Sequence, residues 1–239
     1  MTNKDQEDYY KSTLNLVKKF VDSNQRKRIN LLSDIESEVD NLFLIGKKLF
    51  DDFEQDGDDW AAGWLLQVLK KHKPHFFNDK KYNNWFITYS DVNINYDELQ
   101  LQLLEQKFEE ADRLTSSYLR TLAGKMAETR GYVFYSEVNN MSGTDLQTID
   151  RLWSVYSNGK FGFSTQAKIL NSVGKKYELL WPKIGWKNEG YWTRYPNAFS
   201  WSLDAPEGHM PLINQLRGVR LMDSILRHPA ISLRHKNIL

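Results

Sequence analysis

The chain has 239 residues, 41% hydrophobic and 26% charged, with a formal net charge of +1, the profile of an ordinary globular protein. It has no cysteine, which excludes disulfide frameworks, thiolate zinc sites, iron–sulfur clusters and C-x-x-C-H haem attachment. A charge so near zero speaks against an extended nucleic-acid surface, which works by neutralising phosphates, and no run approaches the ~20 apolar residues of a membrane span.

The opening MTNKDQEDYYKSTLNLVKKF is charged and acidic, unlike a secretory signal or an Arg-rich transit peptide. From Lys4 to about Lys73 the pattern predicts helices, with Ile29, Leu32, Ile35, Val39 and Leu42 near helical spacing. The acidic run DDFEQDGDDW fails as a calcium loop, because counting from Asp52 puts Gly63 where a bidentate Glu belongs; a solvated interhelical loop is expected. Pro74 ends the last helix, and KPHFFNDKKYNN suits a linker. Two domains are therefore expected, a helical bundle with its linker over residues 1–84 and a second domain over 85–239.

In the second part Asp97 fits the N-cap of an amphipathic run through Leu101, Leu104, Phe108, Ala111, Tyr118 and Leu122 to Gly124, with a break near Lys107. GKMAETRG reads as a loop. YVFYSEV is aromatic and β-branched, but too short for periodicity to decide between strand and helix. Asp145 fits the start of a helix through Ile149, Leu152, Trp153 and Tyr156, closed by Asn158-Gly159. Ser164 fits the N-cap of the next helix, which ends at Gly174. The fold class expected is all-α.

Between Tyr177 and Trp201 eight of 25 residues are aromatic, against 13% for the whole chain. Pro182, Gly185, Gly190 and Pro196 interrupt helix and strand alike. Aromatics on a broken backbone cannot all face one core, so they form a candidate wall for a flat apolar ligand. For Trp181, Trp186 and Trp192 taken singly, a structural role is the simpler reading. A helix is then expected from about Pro211 to His228. On it Arg217, Arg220, Ser224 and Arg227 share one side, Asn214 flanks them, and Leu212, Leu216, Val219 and Leu226 lie on the neighbouring face. Arginines so placed suit carboxylates or phosphates. They equally suit a helix C-terminus, the preferred reading for Arg227. The five histidines lack the H-E-x-x-H spacing of a zinc hydrolase, and no G-x-S-x-G, Walker loop or dinucleotide fingerprint is present. Binding is favoured over catalysis, with no metal site expected.

The runs ADRLTSSYLRTLAG, TDLQTIDRLWSVYSNGKFGFSTQAKIL, LLWPKIGW, WTRYPNAFSWSLDAPEGHMPL and NQLRGVR, in this order, closely resemble the "genomes uncoupled four" family. This is the porphyrin-binding accessory protein of magnesium chelatase in cyanobacteria, algae and plants. The resemblance covers about Leu99 to Pro229, and the earlier helical region is similar in character to the N-terminal bundle of cyanobacterial members. It implies an all-helical core with a cupped apolar groove for protoporphyrin IX and magnesium protoporphyrin IX. It implies a non-enzymatic stimulator of the chelatase that acts with the large porphyrin-carrying subunit.

A porphyrin is an apolar disc with two propionates on one edge, so it calls for aromatic walls beside cations. Trp192, Tyr195, Phe199 and Trp201 would supply one wall, and Asn214, Arg217 and Arg220 the polar rim. Family pocket positions also fall on Tyr135 and, in a flap, on Met126. Where cyanobacterial relatives commonly carry RWP, this chain has Arg194-Tyr195-Pro196, and Tyr135 stands where relatives have Phe; both bear on ligand preference. The alternative is a protein-interaction module whose groove accepts an apolar helix of a partner. No nucleic-acid partner is expected, a monomer is, and peripheral membrane association stays open. Lysine outnumbers arginine and asparagine is abundant, the bias of an AT-rich coding sequence. That suits the plastid of an alga, with the cyanobacterial cytoplasm as the alternative.

Overall fold

The computed structural model describes residues 3–43, 60–75, 87–213 and 219–237. The chain divides into two compact units, Met1–Ile87 and Thr88–Leu239. The described residues are all-α apart from two strands of two residues each.

In the first unit α1 (Asn3–Val21), α2 (Gln25–Ser37) and α3 (Trp60–His72) pack together. Asn24 caps α2, its side chain accepting from the Lys27 amide at 3.1 Å. The core stripe runs through Leu31, Ile35 and Leu42, while Ile29 is exposed, so the true phase is shifted from the Ile29 start of the sequence pattern. In α3 the nine residues from Ala61 to Leu69 are all buried, as expected of a helix apolar on every side. Trp64 meets Phe20 edge-on at 5.6 Å. The segment DDFEQDGDD and most of the expected linker lie outside the described residues.

In the second unit α4 (Asp97–Leu104) and α5 (Phe108–Ala123) are separated at the break expected near Lys107, where Gln106 adopts a positive φ of 57°. Asp97 is the first helical residue, not the cap; its amide donates to the Asn95 side chain at 2.7 Å. GKMAETRG is not a loop: Lys125–Arg130 forms a short helix, α6. Lys, Met, Ala, Glu and Arg are good helix formers, and the flanking glycines mark its ends, Gly131 reversing the chain at φ 81°. Within YVFYSEV the residues from Tyr135 open a 3-10 turn, Tyr135–Asn140.

The centre of this unit is α7 (Gly143–Tyr156). Its cap is Ser142, whose hydroxyl accepts from the Asp145 amide at 3.1 Å, so Asp145 sits in the first turn instead of starting the helix. Trp153 is fully buried, stacked 6.1 Å from Phe108, and donates from Nε1 to Thr115 Oγ1 at 2.9 Å. Burying such a ring contributes about 1.5–3 kcal/mol, and the hydrogen bond removes the penalty its N–H would otherwise carry. Asn158 and Gly159 both take positive φ, closing α7 as the sequence suggests.

Helix α8 (Phe163–Ser172) starts earlier than the sequence suggests, so Ser164, the expected cap, already lies inside it. Gly162 holds the cap position at φ 122°, and Asp150 of α7 does the capping, accepting from the Ser164 amide at 2.9 Å. After α9 (Tyr177–Lys183), β1 (Lys187–Asn188) and β2 (Tyr191–Trp192) pair antiparallel, Lys187 opposite Trp192. The expected helix onset at Pro211 is not seen. Residues 211–213 are non-helical, because Gln166 Nε2 donates to the Pro211 carbonyl at 2.8 Å and the Leu212 amide donates to Asp112 at 2.6 Å. The described helix α10 spans Val219–Arg227, followed by α11 (Pro229–Asn237).

Candidate functional site

The aromatic segment after α9 sorts into two clusters. In the first, Trp181 and Trp186 are buried and stacked 5.7 Å apart with their planes 7° from parallel. Trp192, half exposed, leans on Trp181 at 5.5 Å, and Lys187 Nζ lies 5.5 Å from its ring centre. Trp181 and Trp186 thus clamp the fold, the simpler of the two readings for them, while Trp192 keeps an open face.

The second cluster gathers Tyr195, Phe199 and Trp201 with centroid separations of 6.0 to 6.2 Å. Tyr195 is 52% exposed, whereas Phe199 is buried. Trp201 Nε1 donates to the Pro196 carbonyl at 3.1 Å, which fixes its ring. Behind Phe199 lies His209, 5.1 Å between ring centres. Its Nδ1 donates to the Ile184 carbonyl at 2.6 Å, so the bare nitrogen is Nε2, which has no hydrogen-bond partner among the described residues. Burial pushes the His209 imidazole below its usual range despite that hydrogen bond.

Helix α5 supplies charge at the edge of this cluster. Arg113 donates to Glu109 at 2.5 Å, and its charge interacts with the Tyr195 hydroxyl. Its neighbour Asp112 is 2% exposed, and burial lifts its carboxyl to about 7 in spite of the Leu212 amide it accepts. Burial, reinforced by Asp112, pushes the Tyr195 hydroxyl above its ordinary value.

On the 3-10 turn Tyr135 is 47% exposed, and the Arg220 guanidinium lies 5.5 Å from its ring centre. The turn packs against both α5 and α10. Met126 stands on α6 at 73% exposure. The structure therefore joins Tyr195 with Phe199 and Trp201, and Tyr135 with Arg220, and assigns Trp192 to a separate cluster. Asn214 and Arg217 lie outside the described residues. Sequence reasoning gave no role to Arg113 or His209, although ADRLTSS and SLDAPEGH contain them; what marks them is proximity to Tyr195 and Phe199, which only folding creates. Among the described residues no group of three or more metal-ligating side chains is assembled, and no helix is long and apolar enough to cross a membrane.

Fold and surface together define a class: a small all-α module that displays aromatic rings on irregular backbone beside arginines. A family model described as GUN4-like matches residues 89–229. The chain belongs to the GUN4-like family. It is 43% identical over 176 residues to a Ycf53-like protein of Synechocystis sp., covering 72% of this chain and 76% of that one. It is 38% identical over 151 residues to the chloroplastic tetrapyrrole-binding protein of Arabidopsis thaliana, spanning 59% of this chain and 57% of the plant protein. Among solved structures, GUN4 of Chlamydomonas reinhardtii aligns at a TM-score of 0.58 and 39% identity, over 61% of this chain and 95% of that one. Ligand-free Arabidopsis GUN4 aligns at 0.54 and 41%, over 58% and 98%.

Proposed function

We propose that the second unit binds a porphyrin, protoporphyrin IX or its magnesium complex, and that the protein is a non-enzymatic accessory of magnesium chelatase acting with the large porphyrin-carrying subunit. The observation that carries the reading is the Tyr195–Phe199–Trp201 cluster, three rings within about 6 Å of one another beside the Arg113 guanidinium. A tetrapyrrole macrocycle offers a matching flat face, and its propionates match guanidinium groups. Met126, Tyr135, Trp192, Asn214, Arg217 and Arg220 complete the proposed site. The name of the Arabidopsis relative, a tetrapyrrole-binding protein, supports the same ligand class. Family members in cyanobacteria, red algae and a plant chloroplast support a setting in a plastid or a cyanobacterium alike.

The test is a titration of the full chain with a soluble porphyrin, followed by tryptophan fluorescence. Micromolar porphyrin should quench the emission strongly, and Tyr195→Ala should weaken the affinity about tenfold, the loss of about 1.4 kcal/mol of contact. Tyr195 is the better variant because Phe199 also packs on His209. An unquenched protein at micromolar concentration would sink the proposal. Chelatase stimulation is read separately, as the rate of magnesium insertion with and without the chain.

A further inference from the structure

We infer that Arg130 and Glu137 are positioning residues that hold the Met126 helix and the Tyr135 turn as one unit, and thereby set how long a flat ligand stays on this face. The inference rests on the porphyrin reading above and adds to it a part of the molecule that touches no ligand.

Arg130 is the last residue of α6 and Glu137 lies in the 3-10 turn. One guanidinium nitrogen, Nη2, donates to both carboxylate oxygens of Glu137, at 2.9 and 2.7 Å, and to the Tyr132 carbonyl at 3.0 Å. The same carboxylate accepts from the Phe134 amide at 2.7 Å. The guanidinium also lies 4.1 Å from the Phe134 ring centre and 4.7 Å from that of Tyr132, and those two rings meet edge-on at 5.3 Å. Burial alone would raise the Glu137 carboxyl, but the Phe134 amide and Arg130 outweigh it and hold it below its usual range.

Every contact of this knot falls between residues 130 and 137, across the reversal that Gly131 makes in the left-handed region. It contrasts with the i,i+4 pair of Arg113 and Glu109, in which the arginine side chain is 60% exposed; Arg130 and Glu137 are 20% and 23% exposed. Solvent screens such a partly buried pair less than a surface one. Its function is visible in what it leaves outside. Phe134, Tyr135 and Met126 are 44%, 47% and 73% exposed, three apolar side chains displayed from a rigid polar joint instead of folded inward. Arg220 approaches Tyr135 at 5.5 Å from α10, so the ring is placed between a fixed turn and a neighbouring helix. Lysine would keep the charge and the donors but lose the planar guanidinium that lies over the Phe134 and Tyr132 rings, and with it the shape that fits between turn and rings.

Without the knot the contact groups remain and a ligand can still land, but the turn fluctuates and release becomes easier. Interface changes of this kind act mainly on dissociation. The experiment is stopped-flow quenching of the full chain with a soluble porphyrin, in wild type, Glu137→Gln and Arg130→Lys, with hydrogen exchange of amides 132–140 measured without ligand. Both variants should release porphyrin about tenfold faster, associate within about twofold of wild type, and lose amide protection in that segment. Wild-type release rates in both variants, or unchanged protection, would overturn the inference while leaving porphyrin binding intact. A wild-type protein that fails to quench would overturn the functional reading, and this inference with it. Thermal unfolding of both variants checks that the unit stays folded.

Discussion

Alanine in place of Gly162 is expected to destabilise the second unit by about 3–5 kcal/mol, the cost typical of disrupting a buried ion pair. An added Cβ would sit 2.7 Å from Asp150 Oδ1 and 3.4 Å from the Asp150 carbonyl, at a φ of 122° that L side chains rarely adopt. The carboxylate has no freedom to yield. It is fully buried, Oδ1 accepts from the Ser164 amide at 2.9 Å, and Oδ2 accepts from Arg234 Nε at 2.7 Å. Moving it would uncap α8 and loosen the tie between α7 and α11 together. Arg234→Met should cost a comparable amount by leaving the carboxylate without this cation. Denaturant unfolding checks both, and a Gly162→Ala protein within about 0.5 kcal/mol of wild type would show that the joint relaxes freely.

The second large effect is on pH dependence. Burial disfavours the charged form of Asp112 and lifts its carboxyl from an ordinary value of 3.8 to about 7 in the folded protein. Between those values the native state holds a proton that the unfolded chain releases, so this residue makes stability fall as pH rises from about 4 to about 7. The substitution Asp112→Asn keeps an oxygen for the Leu212 amide and removes the titration. From about pH 5 to about pH 8 the wild type should lose about 2–3 kcal/mol relative to this variant. Burial lowers both His209 and His228, and those groups act with the opposite sign, gaining stability as pH rises through the histidine range. They are common to both proteins and cancel in the comparison. Parallel stability–pH curves for the two proteins would refute the assignment.

How far these features can be read in the sequence depends on the range of the interactions involved. The α4–α5 break and the Asn158-Gly159 stop are local, set by backbone preference and side-chain period, and the sequence reading finds both. Errors arise where a distant group decides. Ser164 looks like a cap, but the acceptor comes from Asp150 in the preceding helix. Pro211 looks like a helix start, but Gln166 and Asp112 draw residues 211 and 212 into other hydrogen bonds. GKMAETRG is a different failure: two glycines look like a loop when they bracket one and a half turns of good helix formers. The aromatic density after Tyr177 is legible, yet its division into a buried Trp181–Trp186 stack and an exposed Tyr195 is not, because composition carries no depth. The arginine stripe is legible only as a pattern, with Arg220 beside Tyr135 and Arg217 outside the described residues.

The lean of Trp192 on the Trp181–Trp186 stack bears on binding entropy. With Trp181 at 5.5 Å on one side and Lys187 at 5.5 Å from its centre, the indole is ordered before any flat partner arrives. Immobilising a free side chain at an interface costs about 0.5–1.5 kcal/mol, and here that cost is incurred once, on folding. A ligand that landed on Trp192 would therefore meet a ring already held in place by its tilted contact with Trp181 and need not order it. Trp181, which is buried behind it, would then influence affinity through its partner's order without approaching the ligand.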